Sequence, residues 1–520
     1  MLCPSPLSCF TTTMLSKVIS AIPLGYDGHL IEVEGDSSRG LPRFSIVGMG
    51  NRTIDESRDR VRSAILNSGF SFPDSKLTIN LAPAELSKDG TFLDLPIALS
   101  VLILGNQLLS TDVKDKLFVG ELSLTGELRP VHGVINIVEA AKRHKLREVF
   151  VPLANLHQAK LINDITIHGV PDIKSLFLHL KGVKHLEYPE APTVEKTITP
   201  ISTTIYDHIH GQHIAKRALT IAMAGHHNIL LYGPPGSGKT MLARAASNLL
   251  PPPSNQELIS ITKIHSLASL SDSIVSARPF RSPHHTSSQV SIIGGGIKGI
   301  PGEISLAHKG VLFLDEIPEY GRAIIESLRQ PLEDHEISIS RIGARVTYPA
   351  DFMLIATMNP CPCGYHGSPT HPCSCTTTQI LNYQKRLSGP ILDRIDMFIE
   401  VGKVDSVDLT AEYAQSTTQH DQASTQIATA LKAQEHRFGD SGQYNNSLTT
   451  QELRTHCDIS TDAKRLLARA AKALDLSARS YYRVIRVART IADIVSNQTI
   501  APEHIAEALQ YRKRDPLSPQ

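Results

Sequence analysis

Residues 233–240 read Gly233-Pro234-Pro235-Gly236-Ser237-Gly238-Lys239-Thr240, between the apolar run Ile229-Leu230-Leu231 and a helix-forming segment from Met241 to Leu250. A glycine-rich turn that joins a strand to a helix lets backbone N–H groups surround a phosphate at the helix N-terminus. In the pattern G-x-x-x-x-G-K-T, the lysine reaches the β- and γ-phosphates and the threonine hydroxyl binds Mg²⁺. The sequence therefore predicts a P-loop in an α/β fold, in which residues 233–241 bind ATP and Thr240 binds the metal.

A buried-strand pattern that ends in two carboxylates lies downstream, at Val311-Leu312-Phe313-Leu314-Asp315-Glu316. Phosphoryl transfer needs a carboxylate in the Mg²⁺ shell and a group that orients the attacking water. We expect Asp315 to hold the Mg²⁺ and Glu316 to polarise the water. An apolar run followed by Asp-Glu is common at strand ends, and it is the P-loop upstream that makes this one informative.

Further polar residues have the properties of auxiliary ATPase groups. Asn359 ends an apolar strand pattern, where its amide is suited to sense the γ-phosphate or align the water. Arg394 lies in an apolar, acidic segment and is suited to reach the γ-phosphate of a neighbouring subunit, with a surface salt bridge as the alternative. Ser477 is suited to cap a helix that carries Arg479 and Arg483 on one face. We assign a second sensing role to Arg479, with a solvated basic face as the alternative.

These motifs together resemble the magnesium-chelatase-like AAA+ ATPases, and longer segments resemble the ComM (YifB) subfamily among them. The resemblance spans nearly all of residues 15–512. It is carried by long, rare motifs: Arg278 to His285, Pro301 to Val311, Asn359 to Gly364 and Leu387 to Arg394. The resemblance implies a hexameric, ATP-driven DNA motor that promotes branch migration as incoming DNA is integrated in natural transformation. Its implied partners are DNA, other copies of the chain and recombination proteins.

Composition bounds the remaining possibilities. The 520-residue chain has 41% hydrophobic residues, no Trp and a net charge of +1. It contains no apolar run of about 18 residues, and its first ten residues lack a basic region and include prolines, so we expect a cytoplasmic protein without a membrane helix or signal peptide. A charge balance near zero provides no general attraction to nucleic acid, so any DNA contact must be local.

Two segments inserted into the ATPase core are candidates for such a contact. A glycine-rich loop over residues 287–299 contains Lys298 and matches the family's helix-2 insert. Alternating apolar residues on both sides of Gly343 predict a β-hairpin with Arg341 and Arg345 at its tip. A hexameric pore would repeat these side chains sixfold, but an ordinary hairpin with surface charges fits the same sequence.

Four of the seven cysteines form two C-x-C pairs, Cys361 with Cys363 and Cys373 with Cys375, across a loop rich in Gly, Pro and His. A reducing cytosol disfavours disulfides. Four thiolates that converge over a short loop suit a structural Zn²⁺ ion, although C-x-C pairs are less diagnostic than C-x-x-C pairs. A zinc site and a metal-free loop both remain open, and neither would be the reaction centre.

Composition and pattern also divide the chain into domains. We expect an α/β multidomain protein in the following order: a leader that is disordered or a misassigned start (1–13), a Lon protease S16-like α+β domain (14–185), a Pro/Thr-rich linker (186–204), an AAA+ P-loop NTPase core with a parallel sheet (205–403) that includes the cysteine loop (361–375), a linker or helical segment (404–447), a C-terminal helical lid (448–512) and a tail (513–520).

The N-terminal domain resembles the Lon protease fold, whose peptidase activity needs a serine nucleophile and a lysine base. Phe92 stands where the family's serine is expected, and Ile135 stands where its lysine is expected. A shift of one residue would place Thr91 at the nucleophile position, but the lysine would still be missing. The domain is therefore predicted to be non-proteolytic and to aid assembly or DNA engagement.

Two functions from different classes stay open. One is a DNA-translocating ATPase, and the other is a protein-remodelling or metal-chelatase-like ATPase subunit that acts on a protein partner. Stimulation of ATP hydrolysis by single-stranded or forked DNA would separate them. A third reading, an ATP-dependent protease, is weakened by Phe92 and Ile135.

Overall fold

The computed structural model describes residues 14–48, 51–86, 88, 91–186, 206–269, 274–296, 299–341, 344–368, 371–402, 418–439 and 442–512. The chain divides into two compact units. The first consists of Met1–Lys196 with Leu258–Val275, and the second of Thr197–Glu257 with Ser276–Gln520. The predicted leader and tail lie outside the described residues, as does nearly all of the predicted linker at 186–204.

The first unit is built on a mixed sheet. Its strands are β1 Met14–Leu24, β2 Asp27–Ser38, β3 Arg43–Val47, β4 Lys76–Ala82, β5 Lys116–Phe118, β6 Glu121–Leu122, β7 Leu128–Arg129, β8 Glu148–Pro152 and β9 Thr166–Val170, and its helices are α1 Asn51–Asn67, α2 Asp94–Leu104, α3 Val134–Arg143, α4 Leu156–Ala159 and α5 Ile173–Leu180. Seven strands pair in the order β3-β4-β2-β1-β5-β8-β9, and β6 pairs with β7. The pairs of β1 with β2 and of β2 with β4 are antiparallel, and the other pairs of the large sheet are parallel.

Helix α2 forms the centre of the first unit because it is apolar on all sides. Every one of its residues is buried, as expected for a helix without a polar face. Its one charge, Asp94, accepts hydrogen bonds from Arg60 Nε at 2.8 Å and from Ser57 Oγ at 2.5 Å. Such partners offset the cost of burying a carboxylate.

The second unit contains the P-loop. Its strands are β10 Ile229–Tyr232, β11 Phe280–Arg281, β12 Gly294–Gly295, β13 Ile300–Pro301, β14 Val311–Leu314, β15 Glu336–Arg341, β16 Ala344–Pro349, β17 Met353–Met358 and β18 Met397–Glu400. Helix α8 Asn255–Ala268 begins in this unit. Its other helices are α6 His213–Gly225, α7 Lys239–Ser247, α9 Gln289–Ile293, α10 Glu303–Leu306, α11 Arg322–Ser327, α12 Pro331–Asp334, α13 Thr377–Gln384, α14 Gly389–Leu392, α15 Thr418–Phe438, α16 Thr450–His456, α17 Thr461–Ala473, α18 Ala478–Ile494 and α19 Pro502–Gln510. Short 3₁₀ helices occur in the two units at Ser110–Val113, Leu153–Asn155, Ile317–Glu319 and Asn445–Ser447.

Five strands of the second unit form a sheet in the order β11-β14-β17-β10-β18, and all four neighbouring pairs are parallel. All four residues of β14 are buried, as are the first five of β17. Continuous apolar strands of this kind are typical of a parallel sheet covered on both faces. The parallel sheet predicted for the ATPase core is therefore present.

Helix α15 lies within the segment expected to be a linker or helical segment. It runs for 21 residues, and Ala423, Ile427 and Ala430 on one face are buried in the core of the second unit. Their spacing of four and three is that of a helix face. Helix α15 is therefore part of the packed core.

Helix α8 is shared between the units, which the sequence did not indicate. From Leu258 onward its residues belong to the first unit. There Ser260 Oγ lies 2.9 Å from the Tyr26 hydroxyl, and Lys263 forms an ion pair with Glu139 while its ammonium lies 3.8 Å from the centre of the Tyr26 ring. The first unit therefore includes a segment that follows the P-loop in the chain.

No helix within the described parts of the chain is both long enough and apolar enough to cross a membrane.

Candidate nucleotide-binding site

The P-loop lies at the carboxyl end of β10 and leads directly into α7, which begins at Lys239. Gly238, just before the helix, has φ of +86°, a left-handed conformation that a side chain would strain. Because β10 runs parallel to β17 and β18, the carboxyl ends of all three strands meet at the edge of the sheet that bears the loop. The strand, turn and helix expected around the loop are all present.

The Lys239 side chain lies along the loop, and the residue is only 8% exposed. Its ammonium donates hydrogen bonds of 2.8 Å to the carbonyl oxygens of Gly233 and Pro234, and it lies 3.3 Å from Asn359 Oδ1. Burial lowers the pKa of Lys239, and the carboxylates that follow β14 act in the opposite direction. The lysine is held mainly by neutral acceptors, which a phosphate oxygen can replace.

The two expected Mg²⁺ ligands are adjacent. Thr240 Oγ1 donates a 3.0 Å hydrogen bond to Asp315 Oδ2. A hydroxyl and a carboxylate are hard oxygen ligands of the kind that Mg²⁺ prefers. Thr240 and Asp315 therefore fit the ion that accompanies a nucleotide.

Thr357, which the sequence reasoning missed, holds both carboxylate residues in place. This fully buried residue of β17 donates a 2.5 Å hydrogen bond through Oγ1 to Asp315 Oδ1. The same oxygen accepts a 2.8 Å hydrogen bond from the backbone N–H of Glu316. A polar residue inside an otherwise apolar strand was the signal in the sequence.

Glu316 and Asn359 are joined across the sheet edge. Asn359 Nδ2 donates to Glu316 Oε1 at 2.9 Å, while the amide oxygen of Asn359 faces Lys239. Glu316 has φ of +50°, which is unusual for a residue other than glycine. Such conformations cost free energy and cluster at functional sites. The amide thus links the predicted water-orienting carboxylate to the P-loop lysine.

The two arginines proposed for γ-phosphate contacts share one carboxylate. Arg394 forms an ion pair with Glu333, and Arg479 Nη2 lies 3.6 Å from Glu333 Oε1. The Arg479 side chain is 61% exposed. By contrast, Arg483 is buried, donates to the Asp393 carbonyl and lies 3.8 Å from Asp396. The Arg479 side chain is therefore exposed to solvent, whereas that of Arg483 is packed and hydrogen-bonded.

The four paired cysteines converge as expected. The sulfurs of Cys361, Cys363, Cys373 and Cys375 all lie within 4.8 Å of one another, and none of the four is in a disulfide. Their loop follows Asn359 directly, so the cluster is next to the site described above.

The hairpin expected around Gly343 is formed by β15 and β16, which pair antiparallel. Arg345 is exposed, and its Nη2 lies 3.2 Å from Ser338 Oγ. Arg341 ends the first strand, and its side chain lies outside the described residues, as does Lys298 altogether. The glycines before Lys298 are not a simple loop, because β12 pairs with β13.

The two positions at which the sequence analysis expects the Lon-type dyad are apolar and packed. Ile135 is fully buried in α3, and Phe92 packs against the same cluster of side chains. The neighbouring Thr91 donates its hydroxyl to the Glu121 carboxylate. Neither predicted dyad position offers a nucleophile or a base.

Family models match three segments of the chain. A model described as magnesium chelatase, subunit ChlI, matches residues 206–409. One described as subunit ChlI of Mg-chelatase matches residues 33–155, and one described as the ChlI C-terminal part matches residues 417–512. The first match contains every P-loop, strand-end and cysteine residue discussed above.

Curated relatives match nearly the whole chain. Competence protein ComM of Haemophilus influenzae is 41% identical over 503 residues, which are 96% of this chain and 97% of that protein. The YifB protein of Escherichia coli is 40% identical over 507 residues, 97% of this chain and 98% of that protein. Lon protease 2 of Syntrophobacter fumaroxidans is 28% identical over 163 residues, 29% of this chain and 20% of that protein.

Proposed function

This chain belongs to the ComM/YifB subfamily of the magnesium-chelatase family, and we propose that it is an ATP-driven DNA motor that promotes branch migration. The family supports a competence-related ATPase. The finer proposal is that the chain assembles as a hexamer and drives strand exchange as incoming DNA is integrated in natural transformation. Recombination proteins would be its further partners, in the cytoplasm.

One observation carries the ATPase part of the proposal: hydrogen bonds already join the groups that hydrolysis requires. Lys239, Asn359 and Glu316 form one chain of contacts, and Thr240, Asp315 and Thr357 form another. When ATP and Mg²⁺ are bound, the metal would neutralise charge that develops on the phosphates. Lys239 would release its carbonyl acceptors to bind phosphate oxygens, and Asn359 would hold Glu316 towards the attacking water.

Arg394 and Arg479 would complete the site from outside this network. We assign Arg394 to the γ-phosphate bound by a neighbouring subunit and Arg479 to the phosphate of its own chain, because guanidinium groups suit charge that develops on phosphoryl oxygens. Lys298, Arg341 and Arg345 are the proposed DNA contacts of a hexameric pore. The exposure of Arg345 supports that role.

The first unit is proposed to be a Lon-like domain that has lost peptidase activity and aids assembly or DNA engagement. Its support is the packing of the apolar side chains of Phe92 and Ile135 at the two positions where the resemblance leads one to expect the dyad. An ATP-dependent protease is correspondingly disfavoured.

The deciding experiment is ATP-dependent branch migration on a labelled three-strand DNA junction. The wild type is compared with Lys239→Ala, with Glu316→Gln and with a matched control, Glu319→Gln, which neutralises a carboxylate that pairs with Arg386 instead. We expect migration by the wild type and the control alone. ATP hydrolysis that DNA does not stimulate, without migration, would contradict the DNA motor.

That second outcome would favour a protein-remodelling ATPase. The matches to magnesium-chelatase subunit models over three segments are the observation behind this alternative. In that case hydrolysis by this chain would respond to a protein partner instead of to DNA.

A further inference from the structure

The four-cysteine cluster has the dimensions of a tetrahedral metal site. Sulfur–sulfur distances are 3.3 Å for Cys361 and Cys363, 3.7 Å for Cys361 and Cys373, and 3.5 Å for Cys363 and Cys373. With Zn–S bonds of about 2.3 Å, a regular tetrahedron places its sulfurs about 3.8 Å apart. The thiols therefore surround a space that matches one Zn²⁺ ion, and they are too far apart for disulfides.

The backbone around the cluster is arranged to support thiolates. The N–H of Cys363 points at Cys375 Sγ at 3.4 Å, and the N–H of His366 points at Cys361 Sγ at 3.3 Å. Such outer hydrogen bonds orient metal ligands and tune their basicity. Cys361 is fully buried, so this thiolate would need a cation to offset its desolvation.

A second group of potential metal ligands differs from the cysteine cluster because its side chains already have other polar partners. Glu148, His168 and His179 also bring their donor atoms within 4.8 Å of one another. However, Glu148 already pairs with His168 at 3.2 Å and with Lys116 at 3.7 Å. His179 Nδ1 accepts a hydrogen bond from the Leu186 N–H. These contacts explain why the three side chains lie close together without a metal ion. In the cysteine cluster, by contrast, the thiols face mainly one another.

The cysteine loop is packed against the P-loop. At Gly364, whose φ is +84°, an added Cβ would lie 2.6 Å from Cδ of Pro235. The N–H of Gly364 donates a 3.0 Å hydrogen bond to the carbonyl of Cys361. The turn that seats on the P-loop therefore starts at a cysteine of the cluster.

The cysteine loop also begins next to Asn359, whose amide oxygen lies 3.3 Å from the Lys239 ammonium. Cys361 follows Asn359 by two residues, and the carbonyl of the intervening Pro360 accepts a 3.2 Å hydrogen bond from Gln384. A metal ion that holds Cys361 in place would therefore also restrain the end of β17 and the turn at Gly364.

We propose that Cys361, Cys363, Cys373 and Cys375 bind one Zn²⁺ ion, and that the loaded loop positions the P-loop through Gly364 and Pro235, so that zinc occupancy sets the affinity for ATP. The claim that zinc affects ATP affinity rests on the proposed ATPase function, but the claim that the cysteines bind zinc does not. Zinc is a positioning element here and takes no part in phosphoryl transfer.

Metal content tests the first half. Purified full-length protein is assayed for zinc per chain by elemental analysis, and Co²⁺ is substituted to observe the charge-transfer and d–d bands of a tetrahedral thiolate site. We expect one zinc per chain in the wild type and a loss of most of it in Cys363→Ser and Cys373→Ser. Cys457→Ser, a change at a buried cysteine away from the cluster, should retain it. A wild type without zinc that shows no cobalt bands would overturn the site.

Nucleotide affinity, measured without DNA, tests the second half. Zinc is released from the folded wild type with a thiol-reactive mercurial and a chelator, and excess dithiothreitol then removes the mercurial from the cysteines. The zinc-free protein and the protein reloaded with Zn²⁺ are each titrated with a fluorescent ATP analogue. We expect affinity to fall about tenfold on release and to return on reloading. Unchanged affinity in protein shown to be folded and zinc-free would refute the coupling.

Gly364→Ala separates coupling from metal binding because it leaves all four thiols in place. The added methyl would press on Pro235, so we expect full zinc content with nucleotide affinity weakened about tenfold. Gly367→Ala is the matched control, because Gly367 also has a positive φ but an added Cβ would meet nothing within 4 Å. Equal effects of the two substitutions would assign the loss to backbone strain and refute the contact. A wild type that binds zinc but no nucleotide would contradict the proposed ATPase instead.

Discussion

At the scale of single residues, Thr357 gives the sharpest prediction. Thr357→Val keeps the shape of the side chain but leaves Asp315 Oδ1 and the N–H of Glu316 without their buried partner. An unsatisfied buried group costs about 1–3 kcal/mol. We therefore expect kcat for ATP hydrolysis to fall by about tenfold or more, with ATP affinity close to that of the wild type.

Thr357→Ser is the control for that change, since it keeps the hydroxyl and should retain most of the activity. If Thr357→Val were as active as Thr357→Ser, the hydrogen bonds of the hydroxyl would not be needed for hydrolysis.

His226 makes stability depend on pH. Burial lowers its pKa to about 3, and burial lowers that of His308 to about 4. An unfolded histidine binds a proton near pH 6.5, so between these values the unfolded chain holds more protons than the folded one. The stabilising contribution is therefore complete above about pH 6.5 and is lost as the pH falls towards the folded-state pKa, about 4 for His308 and about 3 for His226.

The measurement is urea unfolding at pH 7.5 and pH 5. His226→Asn tolerates the left-handed backbone at this position, where φ is +56°. It removes the titrating ring, so its free energy of unfolding should fall less between the two pH values than that of the wild type. His208→Asn, at an exposed position, should behave like the wild type. A fall in His226→Asn as large as in the wild type would rule His226 out as a cause.

At the scale of elements, helix α18 divides its arginines between two tasks. Ser477 caps the helix by accepting a hydrogen bond from the N–H of Ser480, as predicted. We expect Arg479→Ala to reduce ATP hydrolysis at least tenfold without lowering Tm, because the side chain is exposed. Arg483→Ala should lower Tm instead, since it removes a buried donor to Asp393. ATPase assays and thermal unfolding of both variants check this, and loss of activity in Arg483→Ala alone at unchanged Tm would reverse the assignment.

Elements with strong local signals could be predicted from the sequence. The P-loop has its glycines at the diagnostic spacing, β14 is a continuous apolar run, and β17 is apolar apart from Thr357. Helix α15 was harder because its buried face is made largely of alanines among Thr and Gln, so its average polarity resembles a linker.

Features that depend on distant partners could not be predicted. Thr357 is important because it forms hydrogen bonds with Asp315 and Glu316, which follow another strand. Glu333 is important because two arginines from other segments lie next to its carboxylate. The membership of Leu258–Val275 in the first unit is likewise a property of packing, and no local pattern marks it.

At the scale of the whole molecule, the proposed ring can be tested by mixing two inactive variants. Lys239→Ala removes the phosphate-binding lysine, whereas Arg394→Ala removes a group proposed to act on the neighbour's ATP. In a mixed ring, an Arg394→Ala subunit with an intact P-loop can sit beside a Lys239→Ala subunit that still supplies Arg394. We expect ATP hydrolysis to reappear at a fraction of the wild-type rate when the two are co-assembled.

Co-assembly is verified with differently tagged copies, and a mixture of Lys239→Ala with Glu316→Gln serves as the control. Both of those residues act in the same chain, so that mixture should stay inactive. Mixed rings of Lys239→Ala and Arg394→Ala that remain inactive would assign Arg394 to its own subunit.

In the proposed ring, Glu333 would impose an order on ATP hydrolysis at neighbouring sites. Its carboxylate is shared by Arg394 and Arg479. When one arginine moves to bind a phosphate, the other still neutralises the Glu333 carboxylate. When the second arginine also moves away, the carboxylate is left without a cationic partner. Half exposure to water softens this penalty without abolishing it. Neighbouring sites of a ring would therefore tend to receive their arginines one after another instead of together. The sequential order would depend on a single surface glutamate.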